Sequence, residues 1–196
     1  APGWGAGCVR AVLVGRGVEC PWPVAPIPKG VKRIHTDLPT LRYSYDFVFH
    51  QAANNNTRDM DRDEMFRANV YDPISMFHHL YESGCRHFVY ASSTAVYGNQ
   101  PAPYTEDTPT EPLNPYAESK LEFDKFAMNF AKNKQCSVVG LRYCNVYGNG
   151  EEHKGSRMSM VSQIYWKARR DEAIQLFRDG SQKRDWVYVK DVVAAN

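Results

Sequence analysis

Arg86-His87-Phe88-Val89-Tyr90-Ala91-Ser92-Ser93-Thr94-Ala95-Val96-Tyr97-Gly98 decides the fold. Its first six residues make an apolar run of strand length, rich in aromatic side chains. The run then breaks into three successive hydroxyls and, four residues on, a glycine. Ligands of an open parallel sheet bind outside the C-terminal ends of its strands. Ser93 is therefore a candidate site residue, although a hydroxyl at this place also caps a turn without any ligand.

Beyond this strand, Tyr116-Ala117-Glu118-Ser119-Lys120 sets a tyrosine and a lysine four residues apart, on one face of a helix. An ordinary tyrosine titrates at about pH 10 and is a poor base at neutrality. A neighbouring ammonium is expected to lower that value and make Tyr116 a usable acid/base. A second apolar strand follows at Ser137-Val138-Val139-Gly140-Leu141-Arg142-Tyr143, and it leads into Cys144-Asn145-Val146-Tyr147-Gly148. On the N-terminal side, Tyr45 to His50 reads as a strand and Glu64 to Ser83 as a helix, with Pro73 expected to kink it. A helix over Pro115 to Lys134 completes an alternation of strands and helices, which predicts an α/β, Rossmann-like, doubly wound parallel sheet. Gln100-Pro101-Ala102-Pro103 and Thr108-Pro109-Thr110-Glu111-Pro112 mark a surface loop before the Tyr116 helix.

Composition excludes several classes. The 196 residues carry 24 basic and 22 acidic side chains, a net charge of +2, which gives no electrostatic footprint for nucleic acid. No apolar run approaches the roughly 20 residues of a membrane span. Five cysteines without a C-x-x-C pair and no signal peptide point to a reduced, cytoplasmic setting. Six histidines without metal-ligand spacing predict no metal.

The order of strand, hydroxyls, Tyr-x-x-x-Lys helix, strand and Asn-Val-Tyr-Gly resembles the extended short-chain dehydrogenase/reductase family of nucleotide-sugar epimerases and dehydratases. Arg184-Asp185-Trp186-Val187-Tyr188-Val189-Lys190-Asp191-Val192 is similar to a further run of that family, so the resemblance covers about residues 45 to 192. It implies NADP or NAD as cofactor, with Ser93 holding the reacting hydroxyl, Tyr116 as acid/base and Lys120 on the nicotinamide ribose. It also implies cofactor contacts from Gln51, Ala52, Ala53, Asn54, Asn55, Asn69 and Val146, with Lys154 reaching the same region. Asn145, Ser156, Gln163, Phe177, Gly180, Ser181 and Arg184 match positions that grip the sugar diphosphate. Arg184 suits phosphate through its planar fork.

His153-Lys154-Gly155-Ser156 narrows the resemblance to the ADP-glycero-manno-heptose 6-epimerases, in which the lysine is a second acid/base. Inverting a carbinol through a ketone takes hydride from one face and returns it to the other, a task that two acid/base groups meet without moving either. Where those enzymes carry a histidine, this chain has Gln163. The implied reaction is epimerisation of a nucleotide-diphosphate sugar, ADP-heptose, by a homo-oligomer serving surface-polysaccharide synthesis. Two alternatives remain: a UDP-glucose-type 4-epimerase that leaves Lys154 idle, and a non-catalytic fragment without cofactor.

Residues 1 to 44 fit this order poorly. Gly3, Gly5 and Gly7 form G-x-G-x-G with no strand before them, and neither family glycine pattern follows. Counting backwards from the clear part puts Gly17 at the end of a first helix and Lys29-Gly30 after a second strand, Cys20 to Ala25. Pro21 and Pro23 are poor occupants of such a strand, Ala25 replaces the expected ribose-binding acid, and Asp37 is a further candidate near the adenine. The expectation is thus an atypical remnant of the dinucleotide-binding N-terminus at 1–44 and the Rossmann-like domain at 45–192, with the substrate region beginning at about 149–185. The fold is expected to be truncated at both ends.

Overall fold

Val12-Leu13-Val14, closed by Gly15, forms a short strand, β1 (Ala11–Gly15), against the expectation that this stretch belongs to a first helix. Its parallel neighbours are β2 (Val31–His35) and β3 (Phe47–His50). An apolar, β-branched run with strands on both sides is what a central parallel position selects. The strand expected at Cys20 to Ala25 is replaced by Val31–His35, and residues 20–25 lie outside the described residues. With Lys32 and Arg33 in its sequence, β2 suits the sheet edge it occupies. The computed structural model describes residues 11–15, 31–35, 45–57, 61–176 and 179–196. Gly3, Gly5, Gly7, Gly17, Lys29, Gly30 and Asp37 lie outside them.

β4 (His87–Ser93) pairs in parallel with β3, and β5 (Ser137–Tyr143) completes a sheet of order β2-β1-β3-β4-β5. From β1, the chain steps one way to β2 and then returns to the other side for β3. That reversal is the topological switch point at which doubly wound sheets open a crevice for ligand. The sheet belongs to the first of two units, Ala1–Arg142 and Tyr143–Asn196.

The helix expected at Glu64 to Ser83 is α1 (Arg62–Phe66), a wide turn over Arg67–Tyr71, and α2 (Asp72–Glu82) in direct succession. Asp61 caps α1 by accepting from the Glu64 N–H at 3.0 Å. Pro73 has no N–H to give, and its ring collides with the carbonyl four residues back in a regular α-helix. The chain answers with a π-turn, in which the Asp72 N–H reaches the Arg67 carbonyl five residues earlier. α3 spans Pro115–Lys134, as the sequence predicts; Asn114 caps it by accepting from Ala117 N–H at 2.9 Å, and Pro115 occupies the first turn.

Phe77 is the hub of the core beneath α2, α3 and β4. It is fully buried, stacks on Phe88 at 4.7 Å between centroids, and meets Phe123 edge-on at 5.2 Å. Phe130 adds an edge contact at 5.9 Å. In β4 the buried residues Phe88, Tyr90 and Ser92 alternate with half-buried Val89, Ala91 and Ser93, the period of a pleated strand. A Cβ at Gly140 would overlap the Tyr90 ring, so the glycine lets that ring lie against β5.

In the second unit, β6 (Asn145–Tyr147) pairs in parallel with β7 (Trp186–Tyr188), with α4 (Met160–Arg169) and α5 (Val189–Ala195) as its helices. Among the described residues, no helix is long and apolar enough to cross a membrane.

Candidate active site

Ser93 is the last residue of β4 and the cap of a 3₁₀ turn, Thr94–Tyr97, where its Oγ accepts from the Ala95 N–H at 3.2 Å. The capping role and the site role coincide. Tyr116, in the first turn of α3, is half-buried and hydrogen-bonded to the Ser93 hydroxyl. Because Asn114 and Pro115 fix where α3 begins, they also fix the height of Tyr116 beside the strand end.

Lys120 lies one turn further along α3 and is only 5% exposed. Its Nζ donates to the Ala91 carbonyl at 3.0 Å and stands 5.9 Å from the centroid of the Tyr116 ring. Burial lowers its pKa to about 8, with Asp124 pulling the other way. The expected depression of Tyr116 is not what the packing gives. Burial raises the phenol above its ordinary value, and the hydrogen bond with Ser93 opposes that without cancelling it. Desolvation of the phenolate therefore outweighs the Ser93 hydrogen bond.

Asp124 anchors a buried network under this site. It accepts from the Tyr90 hydroxyl at 2.9 Å and from Arg142 Nε at 3.0 Å, while Arg142 Nη1 donates to the Tyr97 hydroxyl at 2.9 Å. Burial, reinforced by Asp124, pushes the Tyr90 phenol up, which keeps it a neutral donor.

At the end of β3, His50 is buried against Phe77 and Phe123, and burial followed by the nearby Lys120 lowers its pKa to about 3. The loop after it holds Gln51, Ala52, Ala53 and Asn54 half-buried and Asn55 exposed. Asn69, inside the π-turn, clamps this loop: its Oδ1 accepts from Asn54 N–H at 2.7 Å and its Nδ2 donates to the Asn54 carbonyl at 2.9 Å. The same Nδ2 lies 3.0 Å from Ser119 Oγ, which donates to the Tyr116 carbonyl. Asn69 thus shapes the loop through its backbone and ties it to α3.

These elements fit a dinucleotide. The ends of β1 and β3 flank the switch point, Gly15 closes β1, and Lys120 donates to the Ala91 carbonyl near the end of β4. The Ser92 hydroxyl is buried there without a hydrogen-bond partner among the described residues, an acceptor and donor left for something else to satisfy.

The remaining predicted residues belong to the second unit. Lys154 sits in a 3₁₀ segment, Glu152–Arg157, and its ammonium lies 3.3 Å from Glu151. Gly155 follows at φ 54° and ψ −124°, the first central position of a type II′ turn, which favours glycine. Ser156 is exposed, while its carbonyl accepts from Gln163 Nε2 at 3.2 Å; the Met158 carbonyl takes the same group at 2.7 Å. Gln163 therefore braces the loop that carries Lys154. Asn145 gives its backbone N–H and Nδ2 to the Asp185 carbonyl at 3.2 and 3.0 Å, and Val146 pairs with Val187 in the small sheet. Gly180 adopts φ +75°, Ser181 Oγ donates to Asp179 at 2.7 Å, and Arg184 is exposed with Nη1 on the Lys183 carbonyl. Phe177 lies outside the described residues.

The sequence reading missed Glu151, Asp124 and His50. An acidic residue three before Lys154, followed by Ser159 at a helix start, is the signal that announces Glu151; Asp124 stands one turn after Lys120 on α3. His50 carries no such signal.

The profile of the NAD dependent epimerase/dehydratase family matches residues 37–196. An ADP-L-glycero-D-manno-heptose-6-epimerase of Alkalilimnicola ehrlichii is 39% identical over 153 residues, 74% of this chain and 47% of that protein. Among solved structures, the Helicobacter pylori ADP-L-glycero-D-manno-heptose-6-epimerase is similar with a TM-score of 0.76 at 34% identity, over 86% of this chain and 55% of that one. MoeE5, solved with UDP-glucose and NAD, gives 0.73 at 31% identity, over 87% and 59%. The chain spans about half the length of the curated relatives it matches.

Proposed function

The chain belongs to the NAD dependent epimerase/dehydratase family, and from that premise we propose that it carries the catalytic core of a nucleotide-sugar epimerase acting on ADP-glycero-manno-heptose. The observation that carries the reading is the junction of Ser93, Tyr116 and Lys120 at the C-terminal end of β4. Lys120, Gly15 and the loop held by Asn69 would hold NAD or NADP, which when bound supplies an oxidant that accepts a hydride and gives it back. Ser93 hydrogen-bonds the reacting oxygen. Tyr116 Oη takes the carbinol proton as the C–H bond breaks and the ketone forms, or delivers it in the reverse direction. Lys154 is the second acid/base, serving the other epimer.

A groove along α1, α2 and α3, lined by Phe66, Tyr71, Ile74, Leu121 and Lys125, leaves Tyr71 more than half exposed. This supports pairing of two copies through these helices.

Two measurements test the reading. Heat-released nucleotide, identified by mass spectrometry, is expected to be NAD or NADP; a folded protein without it favours the non-catalytic alternative. Lys154→Met, close in volume to the original, is expected to abolish epimerisation and keep the fold. A fully active variant instead supports the 4-epimerase reading.

A further inference from the structure

Glu151 is 7% exposed, and its carboxylate is held by several donors among the described residues. Oε2 accepts from the Ser159 and Ser162 hydroxyls at 2.7 and 2.6 Å, and Oε1 from the Ser159 backbone N–H at 3.1 Å. The Lys154 ammonium lies 3.3 Å from Oε1. We infer that Glu151 is the positioning residue for Lys154, a carboxylate fixed on the N-terminus of α4 that aims the lysine.

A helix cap alone does not explain this arrangement. Ser159 Oγ already caps α4 by accepting from Ser162 N–H at 3.2 Å, and burying a carboxylate merely to serve two serines costs more than leaving those hydroxyls to water. The charge has a counterpart in Lys154. Residues three apart eclipse one another on a 3₁₀ turn, which brings the two side chains together. Gly155 then reverses the chain, so that Ser159 returns to the same carboxylate. Burial pulls the pKa of Glu151 upward, but Ser162, Ser159 and Lys154 together hold it at about 2, so the partner stays ionised at any working pH. Lys154 itself keeps a side chain 40% exposed, accessible to substrate.

This inference rests on Lys154 being the second acid/base, and its test is separate from the test of that reading. The full chain is labelled with trace acetic anhydride, and acylation of Lys154 is measured against exposed Lys132 by mass spectrometry. Glu151→Gln keeps the shape and removes the charge, exchanging one accepting oxygen for a donating amide NH₂. It is expected to speed Lys154 labelling about threefold, the size of effect such an ion pair gives; an unchanged ratio overturns the inference. Should Glu151→Gln fail to fold, Glu151→Asp keeps the charge at α4 and withdraws it from Lys154. About a twofold rise is then expected, and no rise overturns the inference. With substrate, Glu151→Gln should lower kcat at nearly constant KM, whereas a higher KM at full kcat speaks against positioning. An active Lys154→Met chain defeats the reading of the site and leaves the labelling result standing.

Discussion

Lys120 and Lys154 are held in opposite ways. Lys120 is sunk between α3 and β4, donates to a backbone carbonyl, and owes its pKa of about 8 to burial. Lys154 is half-exposed on a short 3₁₀ turn and is met by a carboxylate that three serine donors hold in place. The first lysine is tuned by what surrounds it, the second is held in place by what it is paired with. Damage to the aromatic core should therefore disturb Ser93, Tyr116 and Lys120, and damage to the α4 cap should disturb Lys154.

The largest effect belongs to the buried half. Tyr116→Phe removes the phenol without changing the packing and is expected to reduce epimerisation by about 10²- to 10⁴-fold, the usual worth of a general acid/base. Epimer ratios followed over time, with circular dichroism as the control for folding, measure this; activity within tenfold of the original would remove Tyr116 from the chemistry. Phe77→Ala empties the centre of the core and should cost about 3–5 kcal/mol. Hydrogen exchange read by mass spectrometry should show protection lost in α2, α3 and β4 and kept in α4. Simultaneous loss in both would break the comparison, since it would make the two regions one cooperative body.

Acid separates the regions more finely. His50 is neutral in the fold with a pKa lowered from 6.5 to about 3, so the unfolded chain binds the extra proton first and stability falls as pH drops from about 6.5 to 3. Glu151 is held at about 2 instead of 4.5; its contribution is complete above 4.5 and is lost as pH falls toward 2. Urea midpoints against pH should thus decline first for the sheet unit. His50→Leu should flatten that decline, and an unchanged slope would assign it to other groups. Gly155→Ala is the mildest test. A side chain at φ 54° should cost the second unit about 1 kcal/mol or more, read as a lower urea midpoint; no shift would show that the turn does not constrain Lys154.

Where a residue's neighbours in sequence determine its conformation, the fold was legible. α3 and β5 match the helix expected from Pro115 to Lys134 and the apolar run at 137–143, and Tyr116 is hydrogen-bonded to Ser93. The N-terminal register was not legible, because the glycines at 3, 5 and 7 drew attention from Val12-Leu13-Val14-Gly15, a plainer strand ending in glycine. The direction of the Tyr116 pKa was not legible because spacing reports a nearby cation and is silent on burial, which raises the phenol. Asn69 was legible as a cofactor contact implied by the resemblance, but not as the clamp of the Asn54 loop. Its work on the Asn54 backbone depends on contacts 15 and 50 residues away in sequence. Glu151 also escaped notice, since its partners Ser159 and Ser162 come to it only after Gly155 has turned the chain.

The π-turn at Arg67–Tyr71 has a consequence for how this helix tolerates change. It amounts to one residue more than a regular helix needs, and a helix turns by about 100° per residue. Deleting a single residue there would give α1 and α2 an unbroken hydrogen-bond ladder up to Pro73, and by local measures a better helix. It would also swing Asn69 out of phase with Asn54 and Ser119. The extra residue is a phase setting: the helix is spaced to suit the loop at the end of β3, and an improvement in its regularity would be paid in lost alignment.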